Sequence, residues 1–89
     1  MLTRRVTIVN KLGLHARAAA RFVTVASKFR CEITVRRGAR CVNGKSIMGV
    51  MMLAAAKGTE LEVSADGEDE ELAQLELAQL VVGRFGEPE

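Results

Sequence analysis

The chain has one histidine, His15, in the run Gly13-Leu14-His15-Ala16-Arg17, directly ahead of a stretch that reads as a helix. A lone histidine is most often a surface residue or a satisfied core residue, but the position of this one sets it apart. The first backbone N–H groups of a helix have no intrahelical partner, and the helix dipole places partial positive charge at the same end. Such an end is a ready anion site. Arg17 adds a permanent cation within the first turn, and Gly13 lets the chain turn tightly beside it. A nucleophilic imidazole, free N–H donors and a guanidinium suit a histidine that accepts a phosphoryl group. The dianion would be held by the helix start at Ala16 and by Arg17. No carboxylate close in sequence offers itself as the third member of a nucleophilic triad. Neither a P-loop nor a dinucleotide glycine fingerprint occurs, so these devices for holding a nucleotide are missing.

Ser46 is the second residue with chemistry. It is placed to cap a short helix from Ile47 to about Leu53. A hydroxyl at a helix start also tolerates added negative charge, so phosphorylation there would alter a docking surface without opposing the dipole. Beside it, Ile47, Met48, Met51 and Met52 cannot all face inward at helical spacing, which leaves methionine surface for an adaptable partner contact. Cys31 and Cys41 have no CxxC spacing and are too few for a disulfide framework. They read as two reduced thiols, and with one histidine no metal site is expected.

These residues need elements to hold them. Leu2 to Val9 is rich in β-branched residues and alternates at Arg5, Val6, Thr7 and Ile8, which predicts a half-buried strand. Asn10 to Gly13 breaks it. Ala16 to Lys28 reads as a helix whose buried face is Ala19, Phe22, Val23 and Ala26, with Arg17, Arg21, Thr24 and Lys28 as a basic stripe on another face. Glu32 to Arg36 and Arg40 to Asn43 form a hairpin across Arg37-Gly38-Ala39, which sets Cys41 opposite about Val35 and far from Cys31. Glu60 to Ser64 is a fourth strand with Leu61 and Val63 inward. A last helix has Asp69 as its expected N-cap, carries Leu72, Leu75, Leu77, Leu80 and Val81, and ends at Gly83. Gly86 to Glu89 reads as a frayed tail. The order β-α-β-β-α-β-α predicts an α+β fold, an open-faced two-layer sandwich with a four-stranded antiparallel sheet and three helices on one face.

Eighty-nine residues make a single domain, 1–89, with no linker or repeat and no room for a deep pocket plus a cofactor domain. Hydrophobic content of 48% and charged content of 27% are those of a globular chain. The uncharged run Ser46 to Ala56 is too short to cross a bilayer, and Met1 to Arg5 leads into no apolar stretch of signal-peptide length, so a cytoplasmic protein without a membrane partner is expected. Charge is divided unevenly. Residues 1–45 hold eleven Lys or Arg and one acid, Glu32, whereas residues 46–89 hold two Lys or Arg and ten acids. Either the halves intermix in the fold, or a basic face meets an acidic partner or a phosphate. A small basic nucleic-acid-binding domain is one alternative. Against it, Phe22, Phe29 and Phe85 are the only aromatics, and none falls in a strand where bases could stack. A regulatory domain whose output is docking alone is another.

Two stretches carry a family resemblance. Leu12-Gly13-Leu14-His15-Ala16-Arg17-Ala18-Ala19 and Asn43-Gly44-Lys45-Ser46-Ile47-Met48-Gly49-Val50-Met51-Met52-Leu53-Ala54 together resemble the HPr phosphocarriers of the bacterial phosphoenolpyruvate-dependent phosphotransferase system. The likeness extends over nearly the whole chain. Lys45 to Met48 and Met51 to Leu53 look most like the nitrogen-related branch, NPr. The resemblance implies an open-faced β-sandwich and a covalent carrier, not an enzyme, with no cofactor. It implies that His15 is phosphorylated at Nδ1 by enzyme I and hands the group to a IIA-type protein, in a pathway serving either sugar transport or nitrogen-related regulation. Arg17 would stabilise the phosphohistidine. Ser46 matches the position that a dedicated kinase modifies in some members. Partners would dock on Ala16, Arg17, Ala20, Arg21 and Thr24 together with Ile47, Met48 and Met51, and a monomer is the default for a carrier that shows one face to successive partners. One position departs from the family pattern. Ala18 stands where proline is common, and alanine keeps the helix while adding an N–H that proline lacks.

Overall fold

A computed structural model describes residues 1–89. In chain order the elements are β1 (Leu2–Thr7), α1 (Ala16–Ala26), β2 (Glu32–Arg37), β3 (Arg40–Asn43), α2 (Ile47–Met52), β4 (Glu60–Asp66) and α3 (Glu70–Val82), followed by a 3₁₀ turn at Arg84–Gly86. The strands form one antiparallel sheet in the order β1-β4-β2-β3. This is the expected α+β open sandwich, with the three helices over one face of the sheet.

Period-two alternation sorts the sheet into its faces. Ile33 and Val35 of β2 and Leu61, Val63 and Ala65 of β4 are buried beneath the helices. The opposite face is polar, and Thr3 and Ser64 hydrogen-bond there through their hydroxyls at 3.0 Å. Alanines Ala18, Ala19 and Ala26 present no exposed surface, so α1 packs close to the core around Phe22. In α3 the inward stripe is Ala73, Gln74, Leu77 and Val81. Leu72 and Leu75 flank it and stay about half exposed. Gln74 is buried because its amide donates to two sheet carbonyls, Leu2 at 2.9 Å and Val63 at 2.7 Å.

Several expectations are corrected. The strand β1 stops at Thr7, where Ile8 leaves the β1–β4 ladder to bond Thr59. The helix α1 ends at Ala26, so Lys28 lies beyond it and reaches Glu76 of α3 at 3.4 Å instead of extending a basic stripe. Cys41 pairs with Arg36, one position from the anticipated Val35, because the turn is the two residues Gly38 and Ala39 closed by Arg37 and Arg40. A one-residue shift reverses faces, so Cys41 is exposed while Cys31 is buried. Both are free thiols, and burial pushes the Cys31 thiol up. Asp69 does not cap α3 through its side chain. Its carboxylate instead accepts the N–H groups of Arg30 at 2.8 Å and Cys31 at 2.9 Å, while Glu70 reaches back to the Gly67 N–H at 3.1 Å.

The uneven charge is partly absorbed by folding. Arg5 meets Glu60, Lys11 meets Glu89, Lys28 meets Glu76 and Arg36 meets Glu62, each a base of the first half against an acid of the second. Arg37 and Arg40 donate to the last carbonyls of α2, at Leu53 and Met52, complementing that helix end. No helix is long and apolar enough to cross a membrane.

Candidate functional site

The loop before α1 is shaped by backbone contacts. Gly13 takes a left-handed φ of +70°, and a Cβ there would lie 2.5 Å from the Ala55 carbonyl oxygen. Leu14 N–H donates to that same carbonyl at 2.9 Å. This close approach fixes where His15 meets the helix, and it requires glycine.

His15 is the N-cap residue of α1, with extended backbone (φ −73°, ψ 179°). Its carbonyl accepts the Ala19 N–H at 2.9 Å, the first turn of the helix. Its ring caps the same end, because Nδ1 accepts the Arg17 N–H at 3.3 Å. The ring therefore lies against the positive end of an eleven-residue helix, as its sequence position predicts. The Arg17 guanidinium is exposed and has no ion pair or hydrogen bond within the protein, which leaves its donors free for an anion. Ala16 is exposed beside it, and Ala18 is buried in the first turn.

The expected frayed tail is instead part of the site. Phe85 is 1% exposed and plugs into the core beyond the end of α3. Arg84, Phe85 and Gly86 are consecutive left-handed residues that reverse the chain. The Arg21 guanidinium donates to the Phe85 carbonyl, and Lys11 N–H donates to the Glu89 carbonyl at 3.1 Å. Between these ties, Glu87 Oε2 contacts His15 Nε2, and Glu87 Oε1 accepts from Asn10 Nδ2 at 2.9 Å. Donation by Asn10, then the contact with His15 and the nearby Arg21, hold the Glu87 carboxyl below the usual carboxylate range, with burial opposing. Lys11, Leu12, His15, Ala16, Arg17, Glu87, Pro88 and Glu89 line the resulting open cleft.

Glu87 and Asn10 escape sequence reasoning because neither lies on a periodic element. The available signal was Phe85, a large apolar residue past the helix stop, which has to be buried somewhere. The expected docking residues share one exposed region in which α1 packs beside α2. Thr24 and Arg17 are exposed, Ala20 is half-buried, and Ile47, Met48 and Met51 are exposed by 43%, 75% and 40%. In α2 only Val50 enters the core, so all three methionines look outward. Arg21 is less free than its exposure suggests, since it clamps the tail. The Ser46 hydroxyl accepts the Gly49 N–H at 3.1 Å, a true N-cap, and remains half-buried. No group of three or more His, Cys, Asp or Glu is placed to hold a metal ion.

A small open-faced α+β domain with one histidine ring on a helix end, an unpaired arginine beside it and no enclosed substrate cavity has the features of a covalent carrier. The model of the PTS HPr component phosphorylation site matches residues 2–82. The chain is 54% identical over 89 residues to a phosphocarrier protein HPr of Neisseria meningitidis serogroup A, covering all of both chains. It superposes with a TM-score of 0.96 and 46% identity on a crystal structure of HPr from Thermoanaerobacter tengcongensis, again over all of both chains. A dimeric HPr crystal structure from that organism gives 0.79 and 49% identity, covering 92% of this chain and 94% of that one. The chain belongs to the HPr family, the phosphocarriers of the phosphotransferase system, which carry a phosphoryl group and are not catalytic enzymes.

Proposed function

We propose that residues 1–89 act as a single carrier domain in which His15 Nδ1 accepts a phosphoryl group from phosphoenolpyruvate-charged enzyme I and passes it to a IIA-type protein. The observation that carries this reading is the placement of the only histidine as N-cap of α1, beside an Arg17 with no partner. Nδ1 already receives the Arg17 N–H, so in the phosphorylated state that donor can turn to a phosphoryl oxygen. The Arg17 guanidinium supplies charge-assisted hydrogen bonds to the same group. The site needs no cofactor of its own, since the bond energy arrives with the donor.

Successive partners dock on the exposed face made by Ala16, Arg17, Ala20 and Thr24 with Ile47, Met48 and Met51, where flexible methionines adapt to more than one surface. Arg21 belongs to this face chiefly through its hold on the tail. Phosphorylation of Ser46 by a kinase would add charge at the start of α2, within that face, and weaken docking of an acidic partner. The protein acts in the cytoplasm as a monomer, which light scattering at working concentration checks against the dimer seen in one relative.

The test is phosphoryl acceptance. The protein is incubated with phosphoenolpyruvate and purified enzyme I, and intact mass is followed. One added phosphoryl group, acid-labile and base-stable, is expected, and none in His15→Ala. Unchanged acceptance by a folded His15→Ala would overturn the reading.

A further inference from the structure

We propose that Glu87, held by Asn10, is a positioning residue that fixes the His15 ring with its proton on Nε2 and its lone pair on Nδ1. This rests on the reading of His15 as the phosphoryl carrier and names what prepares its nucleophile.

Two contacts on opposite sides of the ring specify the same tautomer. An ionised carboxylate offers only lone pairs, so the ring nitrogen facing Glu87 is the one that donates. On the other side, Nδ1 accepts the Arg17 N–H and so carries no proton. A neutral imidazole satisfies both contacts in one tautomer, with the nucleophilic lone pair at the helix end. Glu87 is held in turn. Both hydrogens of the Asn10 amide are committed, to the Gly13 carbonyl at 2.8 Å and to Glu87 Oε1 at 2.9 Å. Asn10 is fully buried and its Oδ1 is left without a partner. An orphaned buried acceptor costs about 1–3 kcal/mol. Flipping the amide would turn Oδ1 toward a carbonyl and a carboxylate, two acceptors, and would be worse. The cost is thus tolerated at the residue that aims Glu87. The Phe85 anchor, the Arg21 clamp and the Lys11–Glu89 backbone bond prevent the tail from carrying Glu87 away.

The arrangement also balances charge through the transfer. The bond from phosphorus to the donor breaks, and its electron pair stays with the donor. The Nδ1 lone pair forms the new P–N bond. The proton remains on Nε2, so the ring becomes cationic, and the adjacent Glu87 carboxylate compensates that charge. Onward transfer reverses these steps, and no proton has to leave the ring. This is the orienting role that a third group plays behind a nucleophile or base.

A single histidine makes the test direct. Imidazole nitrogens of uniformly ¹⁵N-labelled protein are recorded at about pH 9, where a free imidazole is neutral. The wild type is expected to show the Nε2–H form in large excess. Glu87→Ala should reduce that excess roughly tenfold or more, the worth of one hydrogen bond to a charged group. Glu87→Asp should retain part of it. If Glu87→Ala does not fold, as judged by its backbone amide spectrum, Glu87→Leu supplies the same comparison, since it fills similar space and offers the ring no acceptor. Phosphoryl acceptance is measured in parallel, and a slower turnover with unchanged KM for the donor protein is expected in Glu87→Ala. An unchanged tautomer ratio, or a changed ratio with unchanged turnover, would overturn the proposal while leaving the carrier reading intact. A shifted ratio together with no acceptance by the wild type would overturn the carrier reading instead.

Discussion

Asn10 and Glu87 are 77 positions apart and are joined by a 2.9 Å hydrogen bond. Through that bond a buried amide just after the first strand controls a carboxylate in the tail, and the carboxylate touches the only histidine. The site is therefore assembled from both ends of the chain.

The anchor of the tail is the first point to test. Phe85 is 1% exposed, so Phe85→Ala should cost about 3–5 kcal/mol in urea unfolding, the range for emptying a buried aromatic site. In the fraction that still folds, the His15 nitrogen signals should move toward those of Glu87→Ala. Unfolding free energies within 1 kcal/mol of wild type would contradict the anchoring role.

Ser46 separates folding from regulation. Ser46→Ala removes the oxygen that caps Gly49 N–H and should cost about 1 kcal/mol. Ser46→Asp restores a capping acceptor, so its stability should stay close to wild type while it adds charge to the docking face. A rise in the KM for the donor protein in Ser46→Asp, with thermal stability retained, is the expected result.

Acid stability follows from two carboxylates. Asp69 is held below the usual range, chiefly by the Arg30 N–H and then by its hydrogen bonds with Cys31, with burial opposing. Glu87 is lowered chiefly by Asn10. A carboxyl with a depressed folded-state pKa contributes its stability above the unfolded value and loses it as pH falls through the folded value. The deficit of Asp69→Ala relative to wild type should therefore be constant above about pH 5 and shrink below about pH 4, the range of an unperturbed carboxyl. Thermal melts of both proteins across this range provide the check. A deficit that grew on acidification would have the wrong sign.

Met48 is 75% exposed and supports nothing within the fold. Met48→Glu should change stability by less than about 0.5 kcal/mol. It should raise the KM for an acidic partner severalfold without altering turnover. Equal KM values would remove Met48 from the docking face.

Residue pattern alone made most of the fold legible, because Ile33 and Val35, and Leu61 and Val63, alternate as strands must, and Phe22 and Ala26 repeat as a helix must. The placement of His15 and Arg17 at a helix start was legible for a different reason, since such a start has the same backbone chemistry wherever it occurs. The strand order was not, because which strands pair is decided by long-range packing. Nor was the fate of Asp69, which looks like a cap in sequence but finds the Arg30 and Cys31 amides in space. Glu87 was hidden most completely. It lies beyond the last periodic residue, and its role depends on three consecutive left-handed residues, only one of which is glycine.

The pairing of β1 with β4 alone has a consequence for how the chain is made. At synthesis rates of about 5–20 residues per second, the fifty-odd residues between them take several seconds to emerge. The first strand built is thus the one that waits longest for its only neighbour. During that interval its unpaired backbone could template association with other nascent chains. Arg4 and Arg5, in the middle of the strand, put positive charge on both faces of that edge until β4 arrives and Glu60 pairs with Arg5. Charge at these two positions disfavours edge-to-edge pairing during the interval.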